Sequence, residues 1–590
     1  MNETSFKNNK VKKIVVIIFE YLFVGLINVI LAMTALELWG KSISVPWTRG
    51  GDGDFNLIMI RAIERTGWIF HNPHLGAPEK SQIYDVPQGG ENLQWFTMKV
   101  IGTFTTAPQT LNIYFLLTFM FTAMAAYGAA KWWGLSRSTS FVIATLYTFI
   151  SYHFFRNEHH IFLSMYATIP LVLVYACKSV AGKVTLSRWK WVLFVVVASS
   201  TQSYYTVFSL LLIASACGFN LVRRNHINLR QHLLLIVSIF TLFIINLLPS
   251  ILYILNNGRN KVAGVRNYDD SESYGLQIIN LFAPRSGHRI GLLDRIGNSA
   301  ANAGLRSEQG QSIGIVAAVG VAALLLYGLY KIIRSEVMME RFQYPFVLVA
   351  SIMFLTVSSG FVLLGGIIGL NQIRSWNRVV VIIAFIGLLC VGYFLEMIIK
   401  KKAWTGVVPI LLMVCILSLG LFDQTSPDDA FPVDQIAVQQ KSDCDLIKSI
   451  QARKPNHKNV FQFPFVSYPE APPMHNLGHY VQGLHTMCDS NFHFSFGAMK
   501  GRDDDLQRRI GLKGTCENLD DCAKIDQISQ PDLRALHRAQ FSVIIVYRHG
   551  YPDLGRRIET QLTKQFGDPI VSDDQSQVAF IIDADSGVRS

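Results

Sequence analysis

Apolar runs of about 20 residues recur along this chain, and a bilayer core about 30 Å thick takes about 20 helical residues to cross. The runs fall near 14–35, 110–130, 138–155, 161–178, 231–254, 312–331, 344–368, 377–399 and 403–421. One more stretch, 190–222, is too long for a single crossing, and a break near Thr201-Gln202-Ser203 divides it into 190–203 and 204–222. Eleven spans result. Half of the 590 residues are hydrophobic and only 16% are charged, so the expected fold class is a polytopic α-helical membrane protein. The first run follows Lys7, Lys10, Lys12 and Lys13. It is longer than the ~7–15 residues of a signal-peptide core, which makes it an uncleaved anchor.

Charge placement tests the span assignment. With the N-terminus inside, the inner loops carry Lys131 and Arg137; Lys178, Lys183, Arg188 and Lys190; Arg223, Arg224 and Arg230; Lys331, Arg334 and Arg341; and Lys400 to Lys402. Each is short and basic, as the positive-inside rule requires. Merging 190–222 into one span would invert everything after it. The net charge of +12 is thereby used for topology. No basic stripe with interleaved aromatics occurs in a soluble segment, so no nucleic-acid partner is expected.

The long segments 36–109, 255–311 and 422–590 all fall outside. The division is therefore 1–421, a transmembrane unit, and 422–590, a soluble extracytoplasmic domain of α/β or α+β type. Phe461–Val466, Phe541–Tyr547 and Val578–Ile582 read as buried strands, and 433–451 and 555–566 as helices. Four of the eight cysteines (Cys177, Cys217, Cys390, Cys415) lie in spans. The other four lie in this domain, and an even count outside the membrane suggests two disulfides: Cys516–Cys522 as the close pair, leaving Cys444–Cys488. Their spacings fit no CxxC zinc pattern.

Four polar clusters are gathered on the outer face. The first is Asp52 and Asp54 in Gly50-Gly51-Asp52-Gly53-Asp54, opening an amphipathic helix whose apolar positions are Phe55, Ile58, Met59, Ala62 and Ile63. The second is Arg156, Glu158, His159 and His160 in one turn. The third, in 255–311, includes Arg266, Arg285, His288 and Arg289. The fourth runs from Asn371 to Arg378, where Arg374 and Arg378, four apart, would share a helix face and grip a phosphate. Carboxylates facing arginines at a lipid boundary suit transfer of a sugar from a polyprenyl phosphate. An Asp takes the acceptor hydroxyl proton, and Arg stabilises the departing phosphate. Competing readings are a turn and helix cap for Asp52 and Asp54, head-group contact for 285–289, and snorkelling for Arg374 and Arg378.

This layout resembles the GT-C superfamily of membrane glycosyltransferases, on Gly50-Gly51-Asp52-Gly53-Asp54 in the first outer loop and Glu158-His159-His160 in the second. Gly-Gly-Asp-Gly, the Arg374-to-Arg378 region and Phe461-Gln462-Phe463-Pro464-Phe465 with Pro469-Glu470 resemble its bacterial YfhO-like branch. The resemblance implies an integral inner-membrane enzyme of a bacterium, N-terminus cytoplasmic and C-terminal domain periplasmic. It would use a polyprenyl-phosphate sugar donor, a lipid-linked O-antigen or lipopolysaccharide-type envelope glycan as acceptor, and inverting displacement. Asp52 is preferred over Asp54 as base, because an Asp at the helix cap is a stabilised anion and Asp54 sits nearer the helix. Oligosaccharyltransferase-like members bind a divalent metal between two acidic motifs. Here Mg²⁺ or Mn²⁺ would have Asp52, Asp54, Glu158 and His159 as ligands, and no cofactor is otherwise indicated.

Two rival functions predict different features. A flippase or transporter of a lipid-linked saccharide calls for ionisable residues deep in spans, where Glu20 and Glu396 are the main ones, and for symmetry-related halves. A non-catalytic assembly protein would act through its outer domain.

Overall fold

The computed structural model describes residues 3–582 except 183, 268–269, 304–307, 359, 362–366, 368–371, 403, 405 and 526–527. Lys183, Asn371 and part of the predicted span 344–368 lie outside the described residues. The chain opens with α1 (Glu3–Ala35), α2 (Gly51–Thr66), a two-stranded ribbon of β1 (His71–Asn72) and β2 (Ser81–Gln82), α3 (Asn92–Gly102), α4 (Ala107–Trp133) and α5 (Arg137–Thr148). Next come α6 (Ser151–Arg156), α7 (Ile161–Ser164), α8 (Thr168–Ala181), α9 (Arg188–Ser200), α10 (Ser203–Val222) and α11 (Leu229–Asn257). Helices Ile315–Ile333, Glu340–Thr356, Val380–Lys401 and Val407–Gln424 complete the membrane-type set. Among the described residues, seven helices are long and apolar enough to cross a bilayer: the apolar part of α1, then α4, α10, α11, Ile315–Ile333, Trp376–Lys401 and Val407–Gln424. The protein is a polytopic helical membrane protein with a C-terminal sheet-containing region.

The break at Thr201-Gln202-Ser203 is present. Helix α9 stops at Ser200, and the Gln202 side chain accepts from the Tyr204 and Tyr205 amides to start α10. Two other expected spans differ. The run 138–155 is divided into α5 and α6, and 161–178 into α7 and α8, so the backbone leaves the helix at 149–150, 157–160 and 165–167. Hydropathy does not register this, because Phe149, Ile150, Phe154 and Phe155 are apolar whatever the backbone does. Non-helical backbone at this depth is tolerable only where protein satisfies it. Here Ser151 N donates to Gln424 Oε1 (2.8 Å), Tyr205 Oη to Leu163 O (2.5 Å), Tyr166 Oη to Tyr147 O (3.0 Å) and Gln94 Nε2 to Phe162 O (3.1 Å).

The basic loops gather at one end. Lys131 Nζ lies 2.6 Å from Glu20, Arg137 Nε 3.5 Å from the same carboxylate, and the Arg341 guanidinium 5.6 Å from the Trp133 ring centre. Glu396 accepts from the Ser136 amide at that end. Glu20 and Glu396 are therefore paired at the basic margin rather than placed along a path through the bundle. Helix Ile315–Ile333 meets Val380–Lys401 glycine to glycine: a Cβ on Gly320 would lie 2.0 Å from Gly387 O, and one on Gly387 2.3 Å from Ala317 O.

The C-terminal sheet has order β4-β3-β5-β7-β6, from β3 (Asn459–Phe463), β4 (His493–Phe494), β5 (Phe541–Tyr547), β6 (Ile570–Val571) and β7 (Gln577–Ile581). Strands β4, β3 and β5 are parallel, and β7 runs antiparallel to β5 and β6. The alternation along each strand sorts two cores. Phe461, Phe463, Ile544, Val546, Val578 and Phe580 face helix Arg556–Phe566 and the Cys516–Cys522 disulfide. Val460, Val543, Ile545, Tyr547 and Ala579 face helix Val433–Ala452 and share a core with Phe55, Ile58 and Met59 of α2. The segment 36–109 thus completes a core that the sequence assigns to 422–590 alone. Its segment His74–Ala77 hydrogen-bonds along β4, with Phe494 N donating to His74 O (2.9 Å) and Ala77 N to Phe494 O (3.0 Å). The second disulfide joins Cys444 to Cys488.

Gly387→Leu should collapse the folded yield in detergent, read by size-exclusion profile and thermal midpoint, because backbone occupies the space its side chain needs. Val319→Leu, on the 60% exposed lipid face of the same helix pair, should leave both unchanged.

Candidate functional site

Helix α2 begins at Gly51, with Gly50 (φ 100°) as its N-cap and no side-chain cap. Gly51 has φ 50°, so both glycines adopt backbone that favours glycine. Asp52 and Asp54 therefore sit inside the first turn, not at the cap. Burial separates them. Asp52 is 55% exposed and opens into a recess, whereas Asp54 is 1% exposed, its Oδ1 3.5 Å from Arg49 Nε. The expected ordering of the two as anions is reversed. Burial raises the Asp54 carboxyl above its ordinary value, opposed by the Arg49 charge. Burial also acts to raise Asp52, but the His160 hydrogen bond and the charges of His160, Arg378 and His479 outweigh it and hold Asp52 below the ordinary range. Asp52 remains the better-placed group, because it alone of the two faces the open space.

The recess has a volume of about 190 Å³. Around Asp52 it presents His160, Arg378, Glu91, Glu470 and Tyr480, with Asn56, Gln88 and Gln202 supplying amides. His160 Nδ1 is 3.3 Å from Asp52 Oδ2, and its Nε2 is 3.9 Å from Glu308 Oε1. Glu308 is the hub: Arg156 donates to its Oε1, Asn377 Nδ2 donates to its Oε2 (3.2 Å), and Arg378 lies 3.9 Å away. Burial opposes its charge, yet Arg156, Arg378 and His160 bring its pKa down to about 2. Arg378 also lies 4.0 Å over the Tyr204 ring.

The second cluster is a support rather than a set of ligands. Glu158 is fully buried and turns away from the recess, its Oε2 accepting from Thr48 N (3.0 Å) and Thr48 Oγ1 (3.1 Å). Burial raises it to about 8 against those two donors. His159 bridges Asn157 Oδ1 (2.8 Å) and Arg49 O (3.3 Å), and its ring lies against the Gly51–Gly53 turn. It also forms a wall between the recess and a larger cavity of about 410 Å³ lined by Arg49, Phe155, Arg285 and Asp428.

Several expected binding residues are engaged elsewhere. Arg285 forms a double bond pair with Asp429 (2.8 and 2.6 Å) and donates to Gln424 O (2.6 Å). His288 faces Asp423 (3.6 Å), and Arg289 donates to Thr425 O (3.1 Å). This cluster clamps the connection between the last long helix and the C-terminal region, and the recess with Asp52 does not include it. Arg266 pairs with Glu470 through both guanidinium nitrogens (3.1 and 2.5 Å). Arg374 precedes the helical turn Trp376–Val379 and binds Asp270 (2.7 Å), so it shares no helix face with Arg378. Arg156 is 2% exposed and spent on Glu308 and Gln309 O.

The proposed metal set is also corrected. Asp54 is buried against Arg49, Glu158 is held by Thr48, and His159 by Asn157 and Arg49, so with Asp52 they share no open centre. Among the described residues the one grouping with ligand-like spacing is Cys516, Cys522 and Asp553. Its two sulfurs are joined in a disulfide and present no thiolate.

Sequence reasoning missed Glu91 and Glu308, and it noted Glu470 only within the Pro469-Glu470 motif, without a place in the site. Glu308 is a lone acid in a polar loop, with no pattern to mark it. Glu91 had one: Gly89-Gly90-Glu91 repeats the Gly-Gly-acid order of Gly50-Gly51-Asp52.

No protein-family profile and no curated protein matches the chain. Among solved structures it is similar to the archaeal oligosaccharyltransferase AglB from Archaeoglobus fulgidus, in complex with an inhibitory peptide and a dolichol-phosphate. That likeness has 10% identity and TM-score 0.43, over 94% of this chain and 74% of that one. It is also similar to the arabinofuranosyltransferase AftD from Mycobacteria, with 12% identity and TM-score 0.48, over 96% of this chain and 41% of that one. Likeness at this level assigns no residue roles.

The raised Glu158 has a stability consequence. The folded state keeps a proton that the unfolded chain releases, so the contribution is full below the ordinary pKa of 4.5 and is lost as pH rises to about 8. Wild type should lose several degrees of thermal midpoint between pH 5 and pH 8. Glu158→Gln, which still accepts from Thr48, should show a flatter profile.

Proposed function

We propose that this chain is an integral membrane glycosyltransferase that moves one sugar from a polyprenyl-phosphate donor to a cell-envelope glycan, with Asp52 as general base. The observation that carries the reading is Asp52 itself: an exposed carboxylate, held anionic by His160, in a recess that also presents Arg378. The recess is of single-sugar scale, and its amides, carboxylates and aromatic ring are the groups that bind sugar hydroxyls and faces. Its location opposite the basic loops supports an extracytoplasmic site, with the N-terminus in the cytoplasm of a bacterium and residues 422–590 in the periplasm.

In this reading the acceptor hydroxyl gives its proton to an Asp52 oxygen, and the acceptor oxygen bonds to the anomeric carbon. The bond from that carbon to the phosphate oxygen breaks, its electron pair stays on the phosphate, and the polyprenyl phosphate leaves. Arg378 offsets the charge that develops. A single displacement inverts the anomeric centre. His160 orients Asp52 and keeps it deprotonated, and Glu308 fixes His160 and Arg378. No step is assigned to a metal, since the donor set does not converge on one centre.

Asp52→Asn should lower turnover about 10²–10⁴-fold, while Asp54→Asn should act mainly on stability. The check is glycan mass spectrometry of the envelope from a deletion strain carrying each variant. Full retention of the sugar in the Asp52→Asn strain, with normal insertion of the variant, overturns the assignment. In purified protein, His160→Asn should move the acid limb of the rate profile to higher pH, because Asp52 loses the partner that holds it below the ordinary carboxylate range.

A further inference from the structure

A carboxyl group unused in the displacement above lies in the same recess. Glu91 is 7% exposed and ends the turn Gly89–Glu91 that leads into α3. Its Oε1 accepts from Ser203 N (3.3 Å) and Ser203 Oγ (3.2 Å), at the first residue of α10. The next residue, Tyr204, carries the Arg378 guanidinium on its ring, so Glu91 and Arg378 are set on adjacent residues of one helix start. The turn is pressed there without slack. A Cβ on Gly89 would lie 2.2 Å from Asn246 O, and one on Gly90 2.0 Å from Ser203 Oγ. Neither glycine has a positive φ, so the pair serves close approach of backbone to α10 and α11.

A buried carboxylate normally has a cation to pair with. Among the described residues none lies within 4 Å of Glu91. Burial raises its pKa to about 7, with the Ser203 bonds opposing. The ionisable groups facing it around the recess are Asp52, His159, His160, Arg378, Glu470 and Tyr480, with Tyr204 from α10. Of the three carboxyls that line the recess, Asp52 is held below the ordinary range while Glu91 is raised, so that about half of it keeps its proton at neutral pH.

We propose that Glu91 is a second substrate-contacting residue, which in its protonated form donates a hydrogen bond to the phosphodiester of the lipid-linked donor beside Arg378. This rests on reading the recess as the donor site. A phosphodiester is an anion and would be repelled by a Glu91 carboxylate, so its binding selects the neutral acid. Donor binding is therefore linked to one proton and weakens as Glu91 ionises.

The test uses full-length purified protein and farnesyl methyl phosphate, a sugar-free lipid phosphodiester that does not itself titrate between pH 5 and 9. The dissociation constant should rise about tenfold per pH unit above ~7 in wild type. Glu91→Gln, whose amide accepts from Ser203 and still donates to the probe, should remove that dependence and bind well at pH 8.5. Ser203→Ala, which deletes one bond to the anion, should shift the weakening to higher pH and serves where the Gln variant does not fold. A pH dependence that persists in Glu91→Gln belongs to His160 and overturns the proposal. So does pH-independent wild-type binding that Arg378→Ala abolishes, although the donor site then stands. Binding insensitive to Arg378→Ala overturns both.

Discussion

Two arginines and an imidazole converge on one half-buried carboxylate, Glu308. Arg156 comes from the irregular stretch between two expected spans, His160 from the turn after it, and Arg378 from the start of a long apolar helix. Without Glu308 the Arg156 and Arg378 guanidinium charges would repel one another. Removing one partner of such a buried set costs about 3–5 kcal/mol, because the remaining charges are left uncompensated. The geometry around Asp52 follows from this arrangement: His160 is held between Glu308 and Asp52, and Arg378 is kept over Tyr204, facing the open space.

The same logic explains why the neighbouring cluster at 285–289 is not part of the recess. Its charges are satisfied by Asp423, Asp429 and the backbone of 424–425. They tie residues 285–289 to the connection into the C-terminal region. Arg49 extends the link, 3.5 Å from Asp54 on α2 and 3.7 Å from Asp443 in the C-terminal region. Helix α2 carries Asp52 while its remaining faces are filled by α4, the C-terminal sheet core and the backbone of Thr486, which accepts from Arg61 and Arg65.

Much of this was legible in the residue pattern, for reasons that differ by element. The break between α9 and α10 could be inferred because a bilayer limits span length and the basic loops alternate. Strands β3, β5 and β7 were legible because buried strands are short, β-branched and aromatic. The helix with Phe55, Ile58 and Met59 was legible from its period. The breaks between α5 and α8 were not, since apolar side chains there are consistent with a helix or with a buried loop. Pairing of arginines was the other blind spot. Arg285, Arg374 and Arg378 look alike in sequence, and only the approach of Asp429 or Asp270 distinguishes a clamped guanidinium from the one facing the recess. Asp52 was preferred over Asp54 by an argument from capping, and that argument gave the wrong order of acidity, because burial of Asp54 outweighs its place in the helix.

The enclosure of α2 has a consequence for biosynthesis. Residues 51–66 emerge early from the ribosome, yet the side chains that surround them include Val460, Leu484 and Val543, made some 400 residues later. Contacts of such separation form late, since the loop between them must first be closed. The helix bearing Asp52 therefore waits, incompletely packed, while every span is inserted and the last sheet folds. A chain truncated before that sheet would keep Asp52, His160 and Arg378 but lose Glu470, Tyr480 and the core that packs behind α2.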